Sequence, residues 1–328
     1  MTADITIFGA GVMGLSLATE CAGRGASVQI IDPNGSPADH ACSWWAGGML
    51  APISEGVITE AEVVKHGKRA AAWWQAQDAT VHYNGTLVVA LDRDKAHLDT
   101  FARRAENAAR IDANTIATLE PDLSGSIEAG LFIDSEAHLN PRQTLLQLAD
   151  QLHTRLIKIK NQGTPSGQII DCRGFSAQDA LPDLRGVKGE MLVIRNPDIT
   201  LYRPIRLLHS RHPLYIVPRG DGVFMLGATQ IENAERDRAS VRSILELLSA
   251  AFALHPGFGE AEILEIGVDA RPAFPDNQPR IRKTKDRIYL NGLFRHGFLL
   301  APSLAMMTAD LVLNGQQPED WYEDQCER

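Results

Sequence analysis

The chain has 328 residues, of which 44% are hydrophobic and 22% are charged, and its formal net charge is −9. This length and composition predict a globular protein built as one large α/β unit or as two domains. The negative charge argues against nucleic acid or an anionic membrane as a partner, because both require a basic surface.

The cysteines and histidines show no metal-binding pattern. Cys21, Cys42, Cys172 and Cys326 include no Cys-x-x-Cys pair, and the ten histidines include no His-Glu-x-x-His, so we expect neither a metal site nor a disulfide framework. The first residues have no basic segment and no long apolar run, so we expect no signal peptide and no membrane span. A cytoplasmic protein with reduced thiols is the simplest interpretation.

The first 32 residues read as strand, glycine turn, helix and second strand, which is a βαβ unit of a parallel sheet. In the turn, Gly9 permits a tight bend, Gly11 lets the backbone approach a pyrophosphate, and Gly14 lets helix and strand pack closely. Asp32 ends the second strand, where an acid binds a ribose hydroxyl pair. The pattern predicts dinucleotide binding but does not separate NAD from FAD.

Further elements follow in chain order. Residues 59–78 and 94–110 have helical spacing, with a strand in "GTLVVALD" between them, and Asn140-Pro141 starts another helix. "QIIDCRG" is a buried strand that ends at Gly174. From 186 to 231 the chain is rich in strands, with a hairpin at Asp221-Gly222 and a helix in "SVRSILELLSAAFAL" after it. "EILEIGVDARPAF" is a further strand.

This order predicts an α/β (α+β) two-domain protein with a Rossmann-like domain containing the GxGxxG motif and a β-sheet-rich substrate domain. We assign residues 1–80, 140–185 and 262–328 to a discontinuous dinucleotide-binding domain. Residues 81–139 and 186–261 form the substrate-binding domain.

Two glycine-rich segments bear on the cofactor. In "SWWAGGMLAP", Gly47 and Gly48 would let the backbone lie against a large ring, although a buried turn explains them equally well. In "NGLFRHGFLLAP", residues 291–302, a helix starting near Pro302 would point its free amides at the loop with Arg295 and His296. These groups would stabilise the negative charge of a reduced flavin, which favours FAD over NAD; the alternative is a strand and helix that only complete the sheet.

Two further residues suit a carboxylate substrate. Arg271 precedes a proline, which forces an extended backbone, and its planar guanidinium is suited to clamp a carboxylate. Tyr215 opens a strand and would donate its hydroxyl to the same group. Taken singly, a surface ion pair and a half-buried strand aromatic explain them better.

Together these segments resemble the ordered blocks of the D-amino-acid oxidase superfamily, and within it the glycine oxidases of thiamine (thiazole) biosynthesis. The resemblance implies noncovalent FAD and oxidation of a small amino acid or secondary amine to an imine, with O2 reduced to H2O2. It also suggests a homo-oligomer and transfer of the product to a thiazole synthase. An FAD-dependent dehydrogenase using a non-oxygen acceptor is the main alternative. An NAD-dependent dehydrogenase and a catalytically silent flavoprotein are further ones.

The resemblance also assigns residues. Arg271, Arg295 and Tyr215 would contact the substrate. Cofactor contacts are expected at Gly9, Gly11, Val12, Met13, Gly14, Asp32, Pro33, Cys42, Ser43, Gly47, Gly48, Met49, Leu156, Gly174, Leu293, Phe294, Arg295, His296, Gly297, Phe298 and Leu299. The chain departs from the family at His296, where Asn is common, at Gln230, at Trp44-Trp45 and in a shortened stretch from Lys158 to Gln168.

Overall fold

A computed structural model describes residues 3–209 and 213–326. The strands are β1 (Ile5–Phe8), β2 (Val28–Ile31), β3 (Met49–Leu50), β4 (Val81–His82), β5 (Thr86–Ala90), β6 (Ala109–Asp112), β7 (Ala129–Ile133), β8 (Ala137–Leu139), β9 (Ile159–Lys160), β10 (Gln168–Asp171), β11 (Arg185–Arg195), β12 (Ile205–Leu208), β13 (Leu214–Gly220), β14 (Val223–Gly227), β15 (Glu262–Ala273), β16 (Arg280–Lys283), β17 (Ile288–Asn291) and β18 (Tyr322–Asp324). The α-helices are α1 (Val12–Gly23), α2 (Pro52–Gly56), α3 (Ala61–Gly67), α4 (Ala70–Ala76), α5 (Lys95–Arg104), α6 (Ala113–Leu119), α7 (Pro141–Thr154), α8 (Val241–Leu254) and α9 (Gly297–Asn314).

One sheet has seven strands in the order β18-β16-β17-β10-β1-β2-β9. The pairs from β17 to β9 are parallel, as the opening βαβ pattern predicts. Helices α1 and α9 pack against each other beside this sheet, and their apolar residues belong to the core cluster that contains the sheet's central strands.

The second sheet has eight strands in the order β15-β11-β14-β13-β12-β5-β7-β6, and a small sheet pairs β3, β8 and β4. The predicted hairpin is confirmed, since β13 and β14 pair antiparallel around Asp221 and Gly222. The predicted α/β two-domain class is confirmed, while the domain boundaries stay a prediction. Residues 262–273, which we assigned to the dinucleotide-binding domain, pair instead with β11 in the eight-stranded sheet. The sequence did not predict this, because an apolar pattern alone does not say which sheet a strand joins.

Three predicted helices have different bounds. The helix predicted over 59–78 is two helices, α3 and α4, separated at Lys68 and Arg69. The helix predicted over 94–110 ends at Arg104, because 109–112 pair with β7 as an edge strand. The last helix begins at Gly297 rather than near Pro302, so Pro302 lies inside it.

Pro302 is tolerated inside α9 because another residue replaces its missing hydrogen bond. A proline has no backbone N–H, so the carbonyl four residues earlier has no helical donor. In α9 that carbonyl belongs to Phe298, and the indole N–H of the buried Trp74 donates to it at 2.8 Å. Helix α9 is also long and apolar enough to cross a membrane, but it packs in the core here.

Candidate active site

A cavity of about 1050 Å³ runs from the N-terminus of α1 to one face of the eight-stranded sheet. The structure brings most of the predicted site residues to its wall. Those that line it are Gly9, Gly11, Val12, Met13, Asp32, Pro33, Cys42, Ser43, Gly47, Gly48, Met49, Gly174, Tyr215, Arg271 and the whole loop from Leu293 to Leu299.

Two predicted contacts lie elsewhere. Gly14 is behind the wall, where a Cβ would lie 1.9 Å from the carbonyl oxygen of Gly9, so it serves the helix–strand packing. Leu156 is not among the lining residues and its side chain is 85% exposed, just beyond the end of α7. The chain turns there with a φ of 65°, which directs this residue to solvent.

The turn between β1 and α1 has the form that the glycine pattern predicts. Gly9 has a φ of 101°, and a Cβ would lie 2.6 Å from the carbonyl oxygen of Cys172. The cap residue Gly11 has no side chain to bond the first amides of α1, and one of them, Val12 N–H, donates to Ser43 Oγ at 3.2 Å. An uncapped helix N-terminus at a cavity wall is suited to bind phosphate.

Asp32 fixes the position of this turn. Its carboxylate accepts hydrogen bonds from the amides of Ala10 at 2.7 Å and Asn34 at 2.9 Å. The side chain therefore lies at the end of β2 beside the glycine turn, where the sequence predicts a ribose contact.

The segment from Cys42 to Met49 crosses the middle of the cavity. A Cβ on Gly47 would lie 3.0 Å from the ring of Tyr215. Gly48 has a φ of 75°, and a Cβ there would lie 2.3 Å from the carbonyl oxygen of Leu139. Close packing therefore requires glycine at Gly48 and leaves little space for a side chain at Gly47, and both present a bare backbone to the cavity.

One face of the eight-stranded sheet forms the far wall. Arg206 and Tyr215 are directly paired on β12 and β13, and Tyr215 is paired with Gly227 on β14. A Cβ on Gly227 would lie 2.8 Å from the Tyr215 ring, and one on Gly189 would lie 2.3 Å from the Arg271 guanidinium. Glycines on the sheet thus make the space that these two side chains occupy.

Within the described residues, Arg271 uses few of its guanidinium N–H donors and can offer the others to a ligand. Its Nη1 donates to the carbonyl oxygen of Thr229 at 3.0 Å. Among residues 3–209 and 213–326, no carboxylate forms an ion pair with it. A guanidinium at a cavity wall without a counter-ion is suited to bind an anionic ligand in two-point fashion.

Arg295 has a counter-ion that sequence reasoning missed. Its Nη2 lies 2.8 Å from Oε2 of Glu55, and the other carboxylate oxygen of Glu55 pairs with Arg206. Burial alone would raise the pKa of Glu55, but the charges of Arg206 and Arg295 outweigh it and lower the pKa to about 2. Glu55 is therefore an anion that holds two arginines at the cavity.

His296 packs beneath the same carboxylate. Its Nδ1 lies 3.6 Å from Glu55 Oε2, and its side chain is buried. Burial lowers the pKa of His296 to about 4, against the attraction of Glu55. The imidazole is therefore neutral at pH 7 and packs within the site without adding charge.

Burial also keeps Tyr215 and Cys42, which both line the cavity, in their neutral forms. Burial raises the pKa of the Tyr215 phenol, and it raises the pKa of Cys42 to about 12. At neutral pH the tyrosine hydroxyl is a hydrogen-bond donor and the thiol is uncharged.

Glu55 and Arg206 left only faint signals in the sequence. Glu55 follows an apolar stretch in "APISEG", and Arg206 alternates with apolar residues in "PIRLL". A charge on an otherwise buried strand or short helix requires a partner, so each could have been noted as a candidate. Nothing in the sequence alone pairs them across about 150 residues.

Three comparisons with known proteins bear on this site. A model of the family described as FAD dependent oxidoreductase matches residues 4–311. A Rhizobium etli protein named "Putative thiamine biosynthesis oxidoreductase ThiO" is 44% identical over 322 residues, covering 96% of this chain and 98% of that protein. A glycine oxidase of Bacillus licheniformis is 26% identical over 359 residues, covering 98% of this chain and 95% of its own.

The fold is also that of a solved protein. The crystal structure of glycine oxidase from Geobacillus kaustophilus superposes with a TM-score of 0.82, covering 98% of this chain and 96% of that one, at 21% sequence identity. At this identity the likeness concerns the fold.

Proposed function

This chain belongs to the FAD dependent oxidoreductase family, and we propose that it oxidises glycine or a similarly small amino acid at the cavity described above. The predicted cofactor, FAD, is confirmed by the family match, and with it the choice of FAD over NAD. The observation that carries the proposal is a single cavity joining the uncapped end of α1 to Arg271, Tyr215 and Arg295.

The residues along the cavity fit FAD in the order that the cofactor requires. The pyrophosphate would lie at Gly11 and the first turn of α1, with a ribose at Asp32. The flavin ring would lie against the bare backbone of Gly47 and Gly48 and the loop from Leu293 to Leu299. The N-terminus of α9 begins in that loop and would favour negative charge on the ring.

The protein's own residues would bind and orient the substrate. Arg271 would clamp the carboxylate with its free donors, and Tyr215 would add a neutral hydrogen bond. Arg295 would complete this wall, held in place by Glu55. A carboxylate fixed in this way sets the Cα–H bond of an amino acid in one orientation, which is the main contribution that a positioning site makes to the rate.

When bound, FAD would supply the redox chemistry, which is the removal of a hydride from the substrate Cα and the transfer of its two electrons, with one further proton, to O2 as H2O2. We assign no side chain as a general base, because His296 is buried against Glu55 and Tyr215 keeps its proton at neutral pH. The substrate amine must then be neutral to release its electron pair. We therefore expect kcat/KM to rise from neutral to alkaline pH, and a flat profile would contradict this mechanism.

The name of the Rhizobium etli relative, which is 44% identical, supports a role in thiamine biosynthesis. On this proposal the imine of glycine would supply thiazole formation. Assembly into a homo-oligomer, transfer of the imine to a thiazole synthase and a cytoplasmic location stay predictions.

The test is an anaerobic titration of the purified protein with glycine, sarcosine and D-alanine while the flavin absorbance is recorded. Bleaching by glycine, followed by peroxide when air is admitted, is the expected result. Bleaching without peroxide would replace the oxidase with a dehydrogenase that uses another acceptor. A flavin that none of the three amines bleaches would refute the substrate assignment.

A further inference from the structure

Arg219 lies behind the segment that would carry the flavin, on the side away from the cavity. It sits on β13 at a bulge, where the pairing with β14 shifts register between Pro218 and Gly220. A bulge redirects the side chain that it carries. Here it directs a half-buried guanidinium to the turn before β3 instead of into the sheet.

The guanidinium of Arg219 binds three backbone carbonyls. Nη1 donates to the oxygen of Leu139 at 2.9 Å, and Nη2 donates to the oxygens of Ala46 at 3.1 Å and Gly47 at 2.9 Å. One side chain therefore fixes two successive peptide groups of the flavin segment and ties them to the end of β8.

This interaction sets the direction of two amides. In a trans peptide the N–H points opposite to the carbonyl oxygen. Because the oxygens of Ala46 and Gly47 face Arg219, the N–H groups of Gly47 and Gly48 face the other way, and both of these glycines line the cavity. Neither amide has a hydrogen-bond acceptor within the described ranges. Two adjacent free amides form a concave site for negative charge.

The positive charge of Arg219 has no balancing carboxylate. No acidic side chain in residues 3–209 or 213–326 pairs with it. Burial and the nearby Arg142 lower the pKa of Arg219 to about 9, a sign that its cation is poorly compensated. A partly buried charge without an ionic partner is costly, and it favours any anion placed close by.

Arg142 provides a natural contrast. It approaches the same segment, donating to the oxygen of Trp44 at 3.4 Å and stacking on the rings of Trp44 and Trp45. Its charge, however, is balanced by a two-point ion pair with Glu265 on β15, at 2.7 and 2.9 Å. The chain thus holds the segment with two arginines, of which only Arg219 brings an uncompensated charge.

We propose that Arg219 is a positioning residue for the cofactor: it turns the amides of Gly47 and Gly48 toward the flavin ring, and its unbalanced charge favours the reduced, anionic ring. This inference rests on the proposed function for the place of the ring. It assigns to Arg219 a part in setting the reduction potential, separate from substrate binding.

The experiment compares the midpoint potential of the FAD-bound wild type with those of Arg219→Met, Arg219→Lys and the charge-neutral double variant Arg142→Met with Glu265→Gln. Potentials are measured by equilibrium reduction against a dye of known potential, and the dissociation constant of FAD is measured alongside. We expect Arg219→Met to lower the ratio of reduced to oxidised flavin at a fixed potential at least tenfold, which for two electrons is about 30 mV. Arg219→Lys keeps the charge but lacks the planar guanidinium that reaches three carbonyls, so its loss should be smaller than that of Arg219→Met. The double variant should stay within threefold of the wild type.

Three results would overturn the proposal. One is an unchanged potential in Arg219→Met with FAD bound. Another is a loss of tenfold or more in Arg219→Lys, which would show that the charge of Arg219 has no part in the effect; this result decides the question also if Arg219→Met does not retain FAD. The third is an equal loss in the double variant. A wild type that binds FAD and is bleached by glycine while the Arg219→Met potential stays unchanged would refute this inference and leave the proposed function intact.

Discussion

The clamp assigned to Arg271 gives the sharpest prediction for the substrate end of the cavity. Replacing Arg271 with Ala removes a guanidinium that makes one hydrogen bond to the protein, from Nη1 to Thr229 O, and keeps its remaining donors for a ligand. The fold should tolerate the change, because within residues 3–209 and 213–326 it releases a single acceptor, the backbone carbonyl of Thr229.

The magnitude follows from the paired hydrogen bonds that the guanidinium would donate to the substrate carboxylate. A two-point, charge-assisted interaction of this kind contributes about 2 to 4 kcal/mol to transition-state binding. At about 1.4 kcal/mol for each factor of ten, kcat/KM for glycine should fall by about 30- to 700-fold. Because the clamp both binds the carboxylate and orients the Cα–H bond, the loss should appear in KM and in kcat together.

The assay is steady-state peroxide formation over a wide range of glycine concentration. Arg110→Ala is the matched control, since Arg110 lies on β6 at the far edge of the same sheet and makes an exposed ion pair with Asp99. A second variant, Gly189→Ala, should displace the Arg271 guanidinium without removing it, because the added Cβ would lie 2.3 Å from it. If Arg271→Ala kept the kcat/KM of the wild type while FAD remained bound, Arg271 would not be the clamp.

Three further predictions concern stability, each measured by urea unfolding. Burial lowers the pKa of His296 to about 4, so as the pH falls the unfolded chain takes up this proton before the folded chain does. The free energy of unfolding should therefore fall by about 3 kcal/mol from pH 6.5 to pH 4. His296→Asn should lose this dependence. The pKa of Glu55 is lowered from 4.5 to about 2, so the Glu55 carboxylate contributes fully to the free energy of unfolding above pH 4.5, and this contribution is lost as the pH falls through 2. Glu55→Gln should cost about 3 kcal/mol at pH 7. A loss below about 1 kcal/mol would contradict the ion pairs. Trp74→Phe removes the indole donor to the carbonyl of Phe298 and should lower the free energy of unfolding by about 1 to 3 kcal/mol. In a Pro302→Ala background the cost should shrink, since the helix then supplies that donor.

The sequence predicted the cavity wall at the glycine turn better than the wall formed by the eight-stranded sheet. Gly9, Gly11 and Asp32 lie within one βαβ unit, so local spacing alone fixes their arrangement. Arg206, Glu55 and Arg295 come from three distant segments and meet only through the tertiary fold.

The start of α9 was misplaced for a related reason. Proline normally marks the first turn of a helix, so Pro302 suggested a start near itself. The indole of Trp74, more than 200 residues earlier in the chain, supplies the missing donor and lets the helix extend back to Gly297. The residues around Pro302 do not predict that hydrogen bond.

The order of strands in the seven-stranded sheet has a consequence for synthesis of the protein. Strand β1, which is made first, pairs with β10, and β10 pairs in turn with β17, which is made much later. A nascent chain still short of residue 288 therefore lacks the strand that flanks β10 and the whole loop from Leu293 to Leu299. Long-range parallel pairings of this kind form slowly, and they leave apolar edges exposed while they wait. The cavity would thus be complete, and able to retain FAD, only after translation has reached α9, because the loop from Leu293 to Leu299 forms part of its wall.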